Sequence, residues 1–98
     1  MNLTELLSIV AKHRGVSTAQ MKSSSRNYHI FEARLIFSGI ASLYSFRDYQ
    51  VAWALHKHKS SICYYDKRRM ELYKNDANFR ENFHKTYKKV QYATQERI

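Results

Sequence analysis

An all-α domain is the fold class this sequence predicts, on three observations. The 98 residues contain no proline and only two glycines, Gly15 and Gly39, too few turn formers for arrays of hairpins. Apolar residues recur at i, i+3 and i+4 along most of the chain, the period of a helix with one buried face. Good N-capping residues, Asn2, Ser17, Ser45, Ser60 and Asp76, precede those runs. The length supports a single domain over residues 1–98 with its core over about 3–91, built as a compact bundle of about five helices.

The first helix opens at Asn2, with Glu5 three residues on, carries Leu3, Leu6, Leu7 and Val10 on one stripe, and runs to about Arg14 before stopping at Gly15. Ser17 with Gln20 repeats the capping box, so a short helical turn carrying Met21 precedes an exposed loop, Ser23-Ser24-Ser25-Arg26-Asn27. From Ile30 to Tyr44 apolar residues cover almost the whole helix circumference, interrupted by Glu32, Arg34, Ser38 and Ser42, which predicts a central helix touched on several sides. Ser45 caps the next helix, with Asp48 in its first turn and Phe46, Tyr49, Val51, Ala52 and Trp53 leading to Leu55. Ser60 caps another, whose inner face is Ile62, Tyr65, Arg69 and Leu72 and whose outer face is Tyr64, Lys67, Arg68 and Glu71. Two helices joined by a tight turn, the second basic outside, make a helix-turn-helix. Asp76 caps the last helix, with Phe79, Phe83, Tyr87 and Val90 on its apolar face and Lys85, Lys88 and Lys89 as a solvated basic end. Residues Tyr92 to Ile98 are expected to fray. The aromatic set Tyr28, Phe31, Phe37, Tyr44, Phe46 and Trp53 is expected to fill the core rather than to stack on bases.

Charge narrows the partner. Lys and Arg number 17 against 8 Asp and Glu, a formal net charge of +9, which points to a polyanion, nucleic acid before acidic membrane. One cysteine, Cys63, allows no intramolecular disulfide and is expected to be a small buried apolar residue. The segment from Asn2 to Val10 is short, carries Glu5, and lacks the basic start and cleavage site of a signal peptide. The longest apolar stretches fall far short of a membrane span. The expectation is a cytoplasmic monomer with no membrane partner.

The stretch "HKHKSSICYY", residues 56 to 65, carries the chemistry. A metal site is disfavoured, because His56, His58 and Cys63 have none of the paired spacings of structural zinc sites. A solvated basic loop is the bland alternative. DNA contact is preferred, since a helix N-terminus offers N–H groups and a positive dipole end to phosphate while short hydroxyl and basic side chains reach base edges. No Ser-His-Asp order, carboxylate pair or metal motif stands out, and no GxxxxGK[ST] loop occurs, so neither an enzyme, a nucleotide site nor a cofactor is expected.

Read in order, "VAKHRGVSTAQMKSSSRN", "EARLIFSGIASLY" and "VAWALHKHKSSICYY" resemble the C-terminal DNA-binding domain of the bacterial replication initiator DnaA, a Trp-repressor-like helix-turn-helix domain. The matching positions are Val10-Ala11, Val16 with Met21, Arg26, Arg34 and Ser60-Ser61-Ile62, over roughly residues 6 to 90. The resemblance implies that Arg26 enters the minor groove from a basic loop, that Arg34 lies near the DNA backbone, and that Ser60 and Ser61 stand at the start of the recognition helix. One signature departs: the family's Asp-His pair is His58-Lys59 here, and the glycines usual in its turn are replaced by His56-Lys57 with one residue fewer. The initiator's ATPase domain has no counterpart.

The expected function is therefore sequence-specific binding of double-stranded DNA by a stand-alone domain of this kind, in replication or mobile-element control. Arg34, Lys59, Lys67 and Arg68 would hold phosphates, and His58, Lys59, Ser60 and Tyr64 would read bases. The alternatives are a helical interaction module whose basic surface takes an acidic protein, and an RNA binder that uses its aromatics as stacking platforms.

Overall fold

The computed structural model describes residues 1–95. They form six helices: α1 (Leu3–Arg14), α2 (Thr18–Lys22), α3 (Tyr28–Leu43), α4 (Asp48–Leu55), α5 (Lys59–Asn75) and α6 (Ala77–Gln95). The short turn expected around Met21 counts as α2, which brings the predicted bundle of about five helices to six.

Local chemistry sets most of the boundaries. Asn2 Oδ1 accepts from Glu5 N–H at 2.8 Å, and Gly15, at φ 73°, closes α1 by sending its N–H back to Ala11 and Lys12 carbonyls. A side chain there would be forced into left-handed backbone, which is why glycine ends this helix. Ser17 and Gln20 complete a reciprocal capping box, at 3.0 and 2.9 Å. Asn27 caps α3 by accepting from His29 N–H at 2.9 Å, so the central helix opens at Tyr28 rather than Ile30. Asp76 alone separates α5 from α6, its Oδ1 accepting from Phe79 N–H at 3.1 Å.

Two expected caps fall elsewhere. Ser45 is not the cap of α4; at φ 67° it is the left-handed residue that ends α3, allowing Phe46 N–H to reach Ala41 O at 3.0 Å. The cap passes to Arg47, whose N–H donates to Gln50 Oε1 at 2.8 Å. Ser60 likewise lies inside α5, because left-handed His56 turns the chain early enough for His58 to become the cap. At the far end α6 continues through Gln95, since Thr94 Oγ1 still bonds Val90 O at 3.0 Å. Helix thus replaces the expected fraying from Tyr92 to Gln95, and positions 96 to 98 lie outside the described residues.

α3 is the axis: it touches each of the other five helices, and every residue from Glu32 to Ala41 is buried. Phe37, Leu35, Ile36 and Ile40 have no exposed surface, and Leu6, Val10, Met21, Leu55, Ile62, Phe79 and Val90 close around them. The inner face of α5 is as expected, with Ile62 and Tyr65 buried and Arg69 and Leu72 half-buried. Three aromatics expected in the core sit at its margin, Phe31, Tyr44 and Phe46 being partly buried. Two lie outside it: Tyr28 is 51% and Trp53 77% exposed. Trp53 faces out because Val51, Ala52, Ala54 and Leu55 take the inward positions of a two-turn helix. Cys63 is exposed for the same reason, next in sequence to inward Ile62.

Gly39 marks a close approach. A Cβ there would stand 2.6 Å from Arg69 Cδ and 2.7 Å from Phe83 Cε2. In an ordinary helix interior Gly→Ala gains about 1 kcal/mol. Here overpacking, about 1–3 kcal/mol, is larger, because Arg69 is held by Asp66 and Ser38 at 2.9 and 3.2 Å and cannot swing aside freely. Gly39→Ala is expected to lower the urea midpoint; a raised midpoint would show that the α3–α5–α6 contact is loose.

Candidate nucleic-acid interface

The turn between α4 and α5 is built from backbone inward. His56, at φ 55°, donates its N–H to Ala52 and Trp53 carbonyls, and Lys57 N–H returns to Ala52 O at 2.9 Å. His58 Nδ1 then accepts from Ser60 N–H at 3.2 Å and lies 2.9 Å from Ser60 Oγ. When Nδ1 accepts in this way, the neutral ring carries its proton on Nε2 and presents a donor at its other end. His58 is therefore first a cap.

Along the outer face of α5, Lys59, Ser60, Cys63, Tyr64 and Lys67 are exposed while Ser61 and Arg68 are half-buried. Tyr64 is 56% exposed, yet its ring is braced by Phe31 and Tyr65 at centroid distances of 6.2 and 6.3 Å. Arg68 pairs with Glu71 at 3.1 Å, an exposed contact worth no more than about 1 kcal/mol and easily exchanged for another anion. Ser61 is half-buried where Ser60 is exposed, and its N–H returns to His58 O at 2.9 Å within the first turn.

The loop 23–27 faces this helix. Ser23 Oγ accepts from Ser25 N–H and Ser25 Oγ from Asn27 N–H, both at 3.2 Å, which winds the loop tightly enough to hold Arg26 exposed at its tip. The loop carbonyls turn inward to Arg34. Its Nε donates to Met21 O at 2.8 Å, Nη1 to Ser25 O at 2.9 Å, and Nη2 to Ser23 O and Gln20 O at 2.7 and 3.1 Å. At 4% exposure Arg34 is a structural clamp, which corrects the expectation that it holds a DNA phosphate from the surface. Lys57, expected only as part of a shortened turn, is a second clamp: Nζ donates to Ser23 O and to Lys22 O.

Arg26, Tyr64, Lys57 and Arg34 border one cleft of about 360 Å³ between the loop and α5. The structure thus brings together Arg26, Arg34 and Tyr64 of the expected site. Lys59, Ser60, Lys67 and Arg68 lie along the adjoining face of α5, and His58 caps its start. Sequence reasoning missed Lys57. No sequence signal marked it, because the inward carbonyls that call for buried donors are set by the fold.

Among the described residues no three His, Cys, Asp or Glu side chains are close enough to hold a metal ion, and no helix is long and apolar enough to cross a membrane. Comparison of the chain with protein families, with curated proteins and with solved structures finds no match.

Burial, and then the Arg34 guanidinium, hold the Lys57 ammonium below its ordinary value of 10.5. A depressed folded-state value means that the native state binds fewer protons than the unfolded one between the two values, so stability rises with pH across that window and is lost as pH falls through it. The stability difference between the wild type and Lys57→Gln should therefore shift in favour of the wild type as pH is raised toward 10.5. Parallel urea titrations at several alkaline pH values measure it, and a constant difference would contradict the shift.

Proposed function

We propose that this chain binds double-stranded DNA, with the first half of α5 in the major groove and Arg26 in the adjacent minor groove. The observation that carries the reading is the shared cleft: the exposed loop arginine and exposed Tyr64, in the second turn of α5, border it together, and none of the residues lining it is acidic. Lys59, Lys67 and Arg68 are the phosphate ligands of this reading, which position the domain without reading sequence. Base edges fall to Ser60, Tyr64, Lys59 and the Nε2–H of His58. The likeness to the DnaA domain supports the same arrangement through the order of its elements, with Arg34 clamping the loop from inside rather than standing on the surface.

One observation favours a second reading, an interaction module for an acidic partner. A groove of about 600 Å³ runs between the end of α3, α5 and α6, where Leu43, Met70 and Tyr73 are exposed beside Lys74. Duplex binding separates the two readings.

Neutralising about five to seven phosphates would make log K fall against log salt with a slope near −0.9 per phosphate. Lys67→Ala should weaken all duplexes alike and flatten that slope by about one phosphate, whereas Arg26→Ala should also change sequence preference. A failure to shift any duplex at low salt would overturn the DNA reading in favour of the protein partner.

The target is expected to differ from that of the initiator. Where that family offers an Asp carboxylate, an acceptor only, this chain has His58 and Lys59, which present donors. One mismatched base pair costs about 1–3 kcal/mol, so a DnaA box should bind roughly five- to hundredfold more weakly than the best fragment selected from random DNA. Equal competition at a fixed salt concentration would show that His58 and Lys59 read no bases.

A further inference from the structure

The cleft between the loop and α5 has an electrostatic peculiarity of its own. Elsewhere two partly buried guanidinium groups meet carboxylates, Arg14 with Glu32 at 2.8 Å and Arg69 with Asp66 at 2.9 Å. In the cleft Arg26, Arg34 and Lys57 come together with no carboxylate in its lining, and the two inner cations meet backbone carbonyls and the Ser23 hydroxyl, all of them uncharged. Carbonyl dipoles satisfy donors but leave net charge uncancelled.

Donor capacity also remains. A guanidinium carries five N–H groups and an ammonium three. Among the described residues Arg34 Nη1 bonds one carbonyl and Lys57 two, which leaves each a donor to spare. The Ser24 and Tyr64 hydroxyls and the Arg26 guanidinium also line the cleft, and none has a hydrogen-bond partner among the described residues. Convergent donors around uncancelled positive charge suit a tetrahedral oxyanion, which presents several acceptor oxygens at once. The volume of about 360 Å³ exceeds that of one such group, and the rings of Phe31 and Tyr64 offer apolar wall for the carbon substituents of a diester.

We infer that this cleft binds a single phosphate group, supplied in the proposed function by one backbone phosphodiester that runs between the basic loop and α5. The source of the phosphate rests on the DNA reading; the chemistry of the site does not. Lys57 and Arg34 then hold the loop with some of their donors and the ligand with the others, so that seating a phosphate stiffens the surface that carries Arg26.

The test is a titration of the full chain, followed by amide chemical shifts, with dimethyl phosphate as the diester probe and inorganic phosphate as the free ion, sodium chloride holding ionic strength constant. Saturable shifts are expected at residues 24–26, 57 and 64, weakened about tenfold in Lys57→Gln and in Arg26→Gln, as loss of a charge-assisted hydrogen bond implies. Arg26 is exposed at a loop tip, so Arg26→Gln keeps the test decisive if Lys57→Gln fails to fold. In a parallel duplex titration Lys57→Gln should flatten the salt slope by about 0.9. Saturable phosphate binding without any duplex binding would uphold the site and overturn the DNA reading; saturation by the free ion alone would uphold the site and overturn the diester as its ligand. Duplex binding with only diffuse, chloride-like shifts, or phosphate binding that both variants leave unchanged, would overturn the inference.

Discussion

The buried guanidinium of Arg34 is the interaction on which the candidate face depends. The segment from Gln20 to Ser25 leaves a helix and has no neighbouring strand, so its carbonyls need donors from elsewhere. Arg34 supplies four of those bonds from the central helix. An arginine suits this position because its rigid fork remains charged and matches acceptors in fixed directions, whereas burying it without them would cost several kcal/mol. Lys57 bonds the same carbonyl run from the opposite side, out of the turn before α5. The loop and the turn are therefore placed relative to each other through two cations, not through apolar contact alone.

The same logic runs through the rest of α3. Its apolar circumference fits a helix with five neighbours, and its buried polar side chains are directed at particular ones. Glu32 accepts from Arg14 of α1 at 2.8 Å and from Asn82 of α6 at 3.4 Å. Arg34 serves the α2–α3 loop. Ser38 accepts from Arg69 of α5 at 3.2 Å, and bare Gly39 beside it lets that side chain and Phe83 lie against the backbone. Apolar burial supplies the bulk of the stability, but it is directionless; these contacts orient α1, α2, α5 and α6 around the axis.

What could be read from the sequence divides along this line. Asn2, Gly15, Ser17 with Gln20, and Asp76 were legible because each cap closes within a few residues of itself. The inner faces of α5 and α6 were legible because one period runs through each. Ser45 and Ser60 misled, since in a run of polar residues the cap is chosen by where the preceding left-handed residue turns the chain, at Ser45 itself and at His56. Trp53 and Cys63 misled because hydrophobic type was weighed above position, and on short or basic helices the neighbours had already filled the inward sites. Of the site, the exposed residues Arg26, Lys59, Ser60, Tyr64 and Lys67 were legible, and the inner clamps were not. A carbonyl and a phosphate oxygen are both acceptors, and composition cannot say which of them an arginine meets.

That ambiguity decides how charge is to be counted. The net +9 belongs to the whole chain, but charges fixed inside act on a partner differently from those on mobile side chains. Arg34 and Lys57 cannot swing out without releasing the loop carbonyls, so they act as a stationary positive field behind Arg26. Lys59 and Lys67 are exposed and can follow a partner's surface. Lys85, Lys88 and Lys89 on α6 are exposed far along the chain from that field, and any attraction they exert on an anion is screened by salt within about 10 Å. A fixed field in a concave, partly desolvated site is screened least and demands no reorganisation when an anion arrives. On the proposed reading, the cleft beside Arg26, rather than the more numerous surface lysines, is accordingly where the sequence's excess of positive charge would become specific.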